Sequence, residues 1–271
     1  MDSIQYLLSI ETRGIKLGIQ RTRELMAACD NPQSGLPVIQ VAGTNGKGSV
    51  SAIISNILIN AGYKTGLFTS PHLVNVNERI RINGVSISNK EIDLFIKSYK
   101  TDIEKYEATF FETITALAFY YFKKEDVDIA IMETGLGGRL DSVSICEPLA
   151  TIITPISYDH MEILGETLAE IAFEKAGAIK KDVICISAKQ NSTATKVLTE
   201  KADKVKAPIH FLNGESLPDY DINIPGVTQR ENALLAVSAL SHINGFIIPE
   251  EAVVKGLQTV QWFGRNHILR K

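Results

Sequence analysis

The chain is poor in cysteine, in long apolar runs and in charge of one sign. Its three cysteines, Cys29, Cys146 and Cys185, lie far apart, form no C-x-x-C pair and cannot all pair within one chain. That usage argues for a reduced compartment. The longest apolar runs, such as Ala116 to Phe122, fall far short of the roughly 18 residues that span a bilayer. The first twenty residues carry only a short apolar stretch without a small-residue cleavage site, so no secretory signal is evident. Lys plus Arg number 28 against 31 Asp plus Glu, a net charge of −3. The basic excess of a general nucleic-acid or anionic-membrane binder is missing. Internal repeats and low-complexity segments are absent as well. The expectation is a soluble, cytoplasmic protein with no nucleic-acid or membrane partner.

What is present is the balance of an ordinary globular protein, 45% hydrophobic and 22% charged over 271 residues, enough for one large domain or two modest ones. Short Val/Ile-rich runs alternate with longer stretches of helical period. Candidate buried strands are Val38–Ala42, Thr65–Phe68, Val127–Met132, Leu149–Ile153 and Val183–Ser187. Helical spacing marks Ser49–Ala61, Asn89–Tyr106, Thr113–Phe122 and Leu168–Ala176. Ser88 with Glu91, and Thr167 with Glu170, read as capping boxes. Asn83–Gly84 between Arg79–Ile82 and Val85–Ile87 reads as a hairpin turn. Residues 2–30 read as two helices, and Asn31–Pro37 as a turn-rich connector. The alternation implies an α/β fold: a mostly parallel sheet with helices on both faces.

The most informative segment is V-I-Q-V-A-G-T-N-G-K-G-S, Val38 to Ser49. A buried strand runs into a glycine-rich turn that opens a helix near Ser49. Such a turn lets backbone amides converge on phosphate oxygens. Lys47 would add positive charge at the β and γ phosphates, and Ser49 a hydroxyl toward Mg²⁺. The spacing departs from G-x-x-x-x-G-K-[ST]: Val41 stands where the first glycine belongs, and Gly48 separates Lys47 from Ser49. The competing reading is a plain strand–helix turn with a solvated lysine. A second glycine cluster, Gly135-Leu136-Gly137-Gly138, lacks the last glycine of a dinucleotide fingerprint, because Leu140 stands there. Nicotinamide binding is therefore a weak reading.

Seven motifs in order carry a family resemblance: GTNGKGS (43–49), TSPH (69–72), NERI (77–80), FFETITA (110–116), ETGLGGRLDS (133–142), YDHMEILG (158–165) and EKAGAIK (174–180). Together they resemble the folylpolyglutamate synthase/dihydrofolate synthase branch of the Mur ligase superfamily. TSPH, NERI and FFETITA follow this branch rather than the peptidoglycan ligases. The resemblance runs from about Gly14 to Arg265 and implies a P-loop domain like the Mur ligase central domain over 1–265. It implies an ATP-dependent ligase that joins L-glutamate to a folate or dihydropteroate carboxylate. ATP phosphorylates that carboxylate, and the amine then displaces phosphate from the acyl phosphate.

The resemblance also implies site residues. Asn45, Gly46, Lys47, Gly48 and Ser49 would hold the ATP phosphates, and Asn232 and Arg265 the rest of the nucleotide. Phe263 and Asn266-His267 depart from the usual motif around Arg265. Ser70, Glu133 and His160 would ligate Mg²⁺. Lys175 matches a lysine that the family carbamylates, and Lys47, Lys175 and His160 are the catalytic set. Leu17, Gly18, Phe110, Phe111, Glu112 and Leu140 would bind the pterin. From the residues alone, Glu133 has a second reading as a solvated strand-end carboxylate, and His160 one as a loop histidine bonded to Asp159. Lys175 reads as a solvated lysine near a helix C-terminus, and Phe110 and Phe111 as core. The resemblance further implies a smaller second lobe after Arg265, with 266–271 as its start, supplied in cis or by a separate chain. Two readings follow, the nucleotide-binding lobe of a ligase or a stand-alone Mg·ATP or pterin binding module.

Overall fold

The computed structural model describes residues 2–264. Two short helices, α1 (Ser3–Ser9) and α2 (Gln20–Ala28), precede the sheet, with a 3₁₀ turn Ile10–Arg13 between them. Then come β1 (Val38–Ala42), α3 (Lys47–Asn60), β2 (Thr65–Phe68), the hairpin β3 (Ile80–Ile82) and β4 (Val85–Ser86), α4 (Asn89–Lys105) and α5 (Phe110–Lys124). The second half runs β5 (Ile129–Glu133), β6 (Ala150–Ile153), α6 (Met161–Leu164), α7 (Leu168–Ala176), β7 (Ile184–Ser187), α8 (Ser192–Val205), β8 (Ile209–Phe211), α9 (Gln229–Leu240) and α10 (Glu250–Thr259).

Among the described residues the strands form one sheet in the order β4-β3-β2-β5-β1-β6-β7-β8. β2, β5, β1, β6, β7 and β8 are parallel; β3 runs antiparallel to both β2 and β4, so the β4 edge strand points the same way as the parallel set. Because side chains alternate across a strand, β5 splits its apolar residues between two cores. Ile129 and Ile131 join Ile53 and Ile57 of α3, Ala236 of α9 and Leu257 of α10. Ala130 and Met132 join Leu25 of α2, Phe95 of α4 and Phe119 and Phe122 of α5. A third cluster brings Ile153 and Cys185 against Ile171 of α7 and Leu198 of α8. Helices therefore cover both faces, as the alternation predicts. All three cysteines are free and buried. Among the described residues no helix is long and apolar enough to cross a membrane.

Several local expectations change. α3 starts at Lys47, two residues before Ser49, because Gly46 (φ +91°) turns the chain into the helix. α5 starts at Phe110, three residues early, because Thr109 and Glu112 form a reciprocal capping box that the sequence reading passed over. The Thr167–Glu170 box closes both ways. At Ser88 only half forms: the hydroxyl accepts from the Glu91 amide at 3.3 Å, while the Glu91 carboxylate bonds Lys124. The Asn83–Gly84 turn has both residues at positive φ (+48° and +79°), the type I′ geometry that matches strand twist. β8, a three-residue edge strand, carries no period long enough to be read.

Candidate active site

The site is built on the carboxyl ends of β2, β5, β1 and β6, where β1 is flanked by β5 on one side and β6 on the other. That reversal of strand order is where open α/β sheets leave a crevice. Gly43 (φ +133°) lies flat against β6: a Cβ there would sit 2.1 Å from Thr154 Oγ1 and 2.8 Å from its carbonyl oxygen. The loop continues along β6, with the Thr44 and Asn45 amides donating to the Pro155 carbonyl at 3.1 and 3.3 Å. Asn45 Nδ2 donates to Ser157 Oγ at 3.1 Å. The first intrahelical bond of α3 runs from the Val50 amide to the Gly46 carbonyl. The amides of Lys47, Gly48 and Ser49 precede it and carry the positive end of the helix dipole. Asn232 of α9 is buried, and its Oδ1 would lie 2.5 Å from a Cβ on Gly46. Trp262 rests on the first turn of α3, its ring 2.9 Å from where a Cβ on Gly48 would be. Arg265 lies outside the described residues.

Two lysines meet at one carbonyl. Lys47 folds back on its own loop, donating to the Gly43 and Thr44 carbonyls at 3.3 and 3.0 Å. Lys175, from the last turn of α7, donates to the Gly43 carbonyl at 2.7 Å and is only 2% exposed. The solvated lysine that the sequence alone favoured is thus a buried one. Burial first, and then the charge of Lys47, push its ammonium down to about 8, against the pull of Asp159 and Asp141.

Glu133 ends β5 beside Val41 and is also buried; its Oε2 accepts from the Ser70 amide at 3.0 Å. His160 stands apart, with half-exposed side chain, left-handed backbone (φ +48°) and Asp159 3.7 Å away, beyond hydrogen-bond length. Ser70 and His160 line the same cavity, and Glu133 is tied to Ser70 from behind. Among the described residues no three His, Cys, Asp or Glu side chains converge closely enough to hold a metal. The donors present are a carboxylate, a serine hydroxyl and, more distant in character, one imidazole. Oxygen donors fit a hard cation that keeps waters and takes phosphate oxygens, so the set fits Mg²⁺ only as part of a nucleotide complex.

Next to these residues opens a cavity of about 280 Å³. Its walls include the Gly14–Gly18 loop, Phe111 and Glu112 at the start of α5, and Leu140 with Asp141. Five of the six expected pterin residues, Leu17, Gly18, Phe111, Glu112 and Leu140, are brought together here. Phe110 is not: it is buried in the α4–α5 core, with the Arg79 guanidinium 5.1 Å above its ring. The glycines of 135–138 serve packing, since a Cβ on Gly135 would meet Phe111 at 2.5 Å and one on Gly138 the Lys175 carbonyl at 2.7 Å.

Two lining residues were missed from sequence. Arg79, inside NERI, is 8% exposed, donates to His72 Nδ1 at 2.9 Å and borders the cavity. Burial lowers its pKa, and Glu11 and Glu133 oppose that shift. Asp141 accepts from the Leu136 and Val143 amides, both at 2.9 Å, and burial pushes its carboxyl up to about 6. Both stand within quoted motifs, and a charged residue beside apolar strand ends was the available signal.

A model of the Mur ligase middle domain matches residues 41–181. The chain is 38% identical over 290 residues to dihydrofolate synthase/folylpolyglutamate synthase of Bacillus subtilis, covering 95% of this chain and 67% of that protein. It superposes on the crystal structure of a Thermotoga maritima folylpolyglutamate synthase with a TM-score of 0.89 and 31% identity, covering 98% of this chain and 68% of the other. An FPGS–AMPPCP–folate complex gives a TM-score of 0.88 at 26% identity, covering 97% and 72%. Across eight curated relatives the chain spans between 35% and 67% of their length. Both the middle-domain match and these relatives agree with the motif order, and the chain belongs to the folylpolyglutamate synthase/dihydrofolate synthase branch of the Mur ligase family.

Proposed function

We propose that this chain is the ATP- and pterin-binding part of a ligase that joins L-glutamate to a folate or dihydropteroate carboxylate. The observation that carries the reading is adjacency. A phosphate-type loop and a pterin-sized cavity open on one edge of the sheet, joined by Ser70 and Glu133. Residues 1–265 act as one unit in this reading, because the three cores share one sheet. The working compartment is the cytoplasm.

ATP would lie with its phosphates in the 45–49 loop, at the amides of Lys47, Gly48 and Ser49, and its remaining portion toward Asn232 and Arg265. Ser70, Glu133 and His160 would hold Mg²⁺, whose chemistry is to neutralise phosphate charge. Lys47, now on the Gly43 and Thr44 carbonyls, exchanges these for phosphate oxygens. The acyl carboxylate, an anion, must approach an anionic γ-phosphoryl group. Lys47 and the α3 amides supply the fixed positive charge that permits it. Lys175 becomes reactive toward CO₂ only as the neutral amine, and its lowered pKa makes that form accessible near neutral pH. We assign it as the carbamylation site. Leu17, Gly18, Phe111 and Leu140 would hold the pteridine, with Phe111 as the stacking ring.

Calorimetric titration with Mg·AMPPCP and with folate or dihydropteroate tests the reading, alongside an assay for glutamate amide formation. Binding of both ligand classes supports it. Binding of both with amide made very slowly or not at all supports the binding part of the reading alone. Failure to bind the nucleotide in either presence or absence of Mg²⁺ would overturn it.

A further inference from the structure

The Gly14–Gly18 loop forms one wall of the cavity, although its residues are largely exposed: Ile15 is 64% and Leu17 47% exposed. Apolar burial therefore does little to hold it. Ionic ties do that work instead. Ahead of the loop, Arg13 donates to the Ala108 carbonyl at 2.6 Å. Within it, Lys16 reaches Glu107 at 3.3 Å, an exposed pair of the kind that contributes little. Behind it stands Arg21. Its Nη2 donates to the Lys16 carbonyl at 2.8 Å, and its Nε donates to Glu112 Oε1 and Oε2 at 3.0 and 3.1 Å. One guanidinium thus grips the loop backbone and the start of α5 together.

Glu112 is the other half of the device. Its side chain is 3% exposed, and Oε2 also accepts the Thr109 amide at 2.7 Å to cap α5. Both oxygens are engaged by protein donors. A carboxylate occupied in this way is poorly placed to accept from a ligand as well. A planar fork bonded to a buried carboxylate fixes direction as well as distance, which a lysine cannot do.

We propose that Arg21 is a positioning residue that clamps the 14–18 loop over the pterin cavity, and that Glu112 acts through Arg21 rather than by touching the substrate. The proposal rests on the cavity being the pterin site, and it changes the role expected of Glu112 within it. Gln at position 112 can still complete the capping box, so Glu112→Gln removes the ionic grip while keeping the helix start.

The test compares wild type, Arg21→Lys, Arg21→Met, Glu112→Gln and the Arg21→Met/Glu112→Gln double variant. Amide hydrogen exchange of residues 14–19 is measured without ligand, and affinities for folate, dihydropteroate and AMPPCP by calorimetry. Exchange in the loop is expected to rise at least tenfold in Arg21→Met, with α3 and α7 unchanged. Pterin affinity is expected to fall at least tenfold while AMPPCP affinity stays within twofold. Arg21→Lys should recover less than half of the loss. The double variant should bind pterin no worse than Arg21→Met alone. Unchanged loop exchange, or faster exchange with unchanged pterin affinity, overturns the clamp. Multiplying losses in the double variant overturn the indirect role of Glu112. Wild-type protein that binds neither pterin overturns the cavity reading, whereas the mechanical grip of Arg21 is judged by loop exchange alone.

Discussion

Replacing Lys175 by Met should make the protein more stable and less functional at once. The lysine is 2% exposed, and its ammonium is held near pKa 8 against an ordinary 10.5. A group whose folded pKa is lowered in this way binds fewer protons in the fold than in the unfolded chain between those two values. Stability contributed by this site therefore rises with pH from 8 to 10.5, and below pH 8 the full penalty of the buried charge is present. That penalty is about 3 kcal/mol. Met has nearly the same reach and no charge, so it removes the penalty. It also gives up the bond to the Gly43 carbonyl, which Lys47 still reaches at 3.3 Å. A charged hydrogen bond is worth about 1.5–3 kcal/mol, which leaves a net gain of roughly 1 kcal/mol at pH 7.

The assay is urea unfolding of both proteins from pH 7 to 10.5, in buffer freed of CO₂ so that the amine stays unmodified. Only the difference between them is read, since other groups titrate equally in both. The Met variant should lead at pH 7, lose its lead between pH 8 and 10, and trail at pH 10.5. In air-equilibrated buffer the same variant should lose Mg²⁺-dependent AMPPCP affinity relative to wild type. A stability difference that does not change with pH would refute the reasoning, because it would mean that Lys175 carries no depressed pKa in the fold.

Other substitutions separate the remaining roles. Lys47→Ala should weaken AMPPCP roughly ten- to a hundredfold by calorimetry, the worth of one charged bond to phosphate. Glu133→Gln should damage the Mg²⁺-dependent part of that affinity and spare the metal-free part; equal losses would mark a structural carboxylate. Gly43→Ala places a methyl 2.1 Å from Thr154 Oγ1 at φ +133°. It should destabilise by about 3 kcal/mol in denaturant titration, since strained backbone and overpacking each cost of order 1–3. Phe110→Ala should cost about 3–5 kcal/mol of stability. Phe111→Ala, at the cavity wall, should mainly lower pterin affinity; a larger stability loss at Phe111 than at Phe110 would reverse the assignment.

Much of the fold was legible because its strands are buried on both faces and read as short apolar runs. β1, β2 and α7 begin and end where the sequence places them. Boundaries moved where a backbone device, not a period, set them: Gly46 opens α3 early and Thr109 opens α5 early. Placement of the site was less legible. Phe110 and Phe111 are neighbours on a helix start, yet successive helical residues point about 100° apart. One meets the core under Arg79, the other the cavity. Lys175 and Lys47 are 128 positions apart and share one carbonyl only because α7 packs its last turn against the β1 loop.

Three of the Ser/Thr-x-x-Glu patterns, those opening at Ser88, Thr109 and Thr167, show where local reading reaches its limit. Each offers the same two complementary bonds, and at two of them a distant cation reaches the carboxylate. At Thr167 the box stands alone, and Glu170 serves the helix start. At Ser88, Lys124 of the neighbouring helix draws the Glu91 carboxylate away, leaving half a box. At Thr109, Arg21 approaches a carboxylate that keeps its capping bond, because two oxygens with several lone-pair sites can serve a guanidinium and an amide together. Sequence spacing specifies the local bond; the fold decides which distant cation competes for it or shares it. A carboxylate that a motif would assign to a ligand can therefore be engaged instead in holding the wall the ligand meets, which is the role proposed for Glu112.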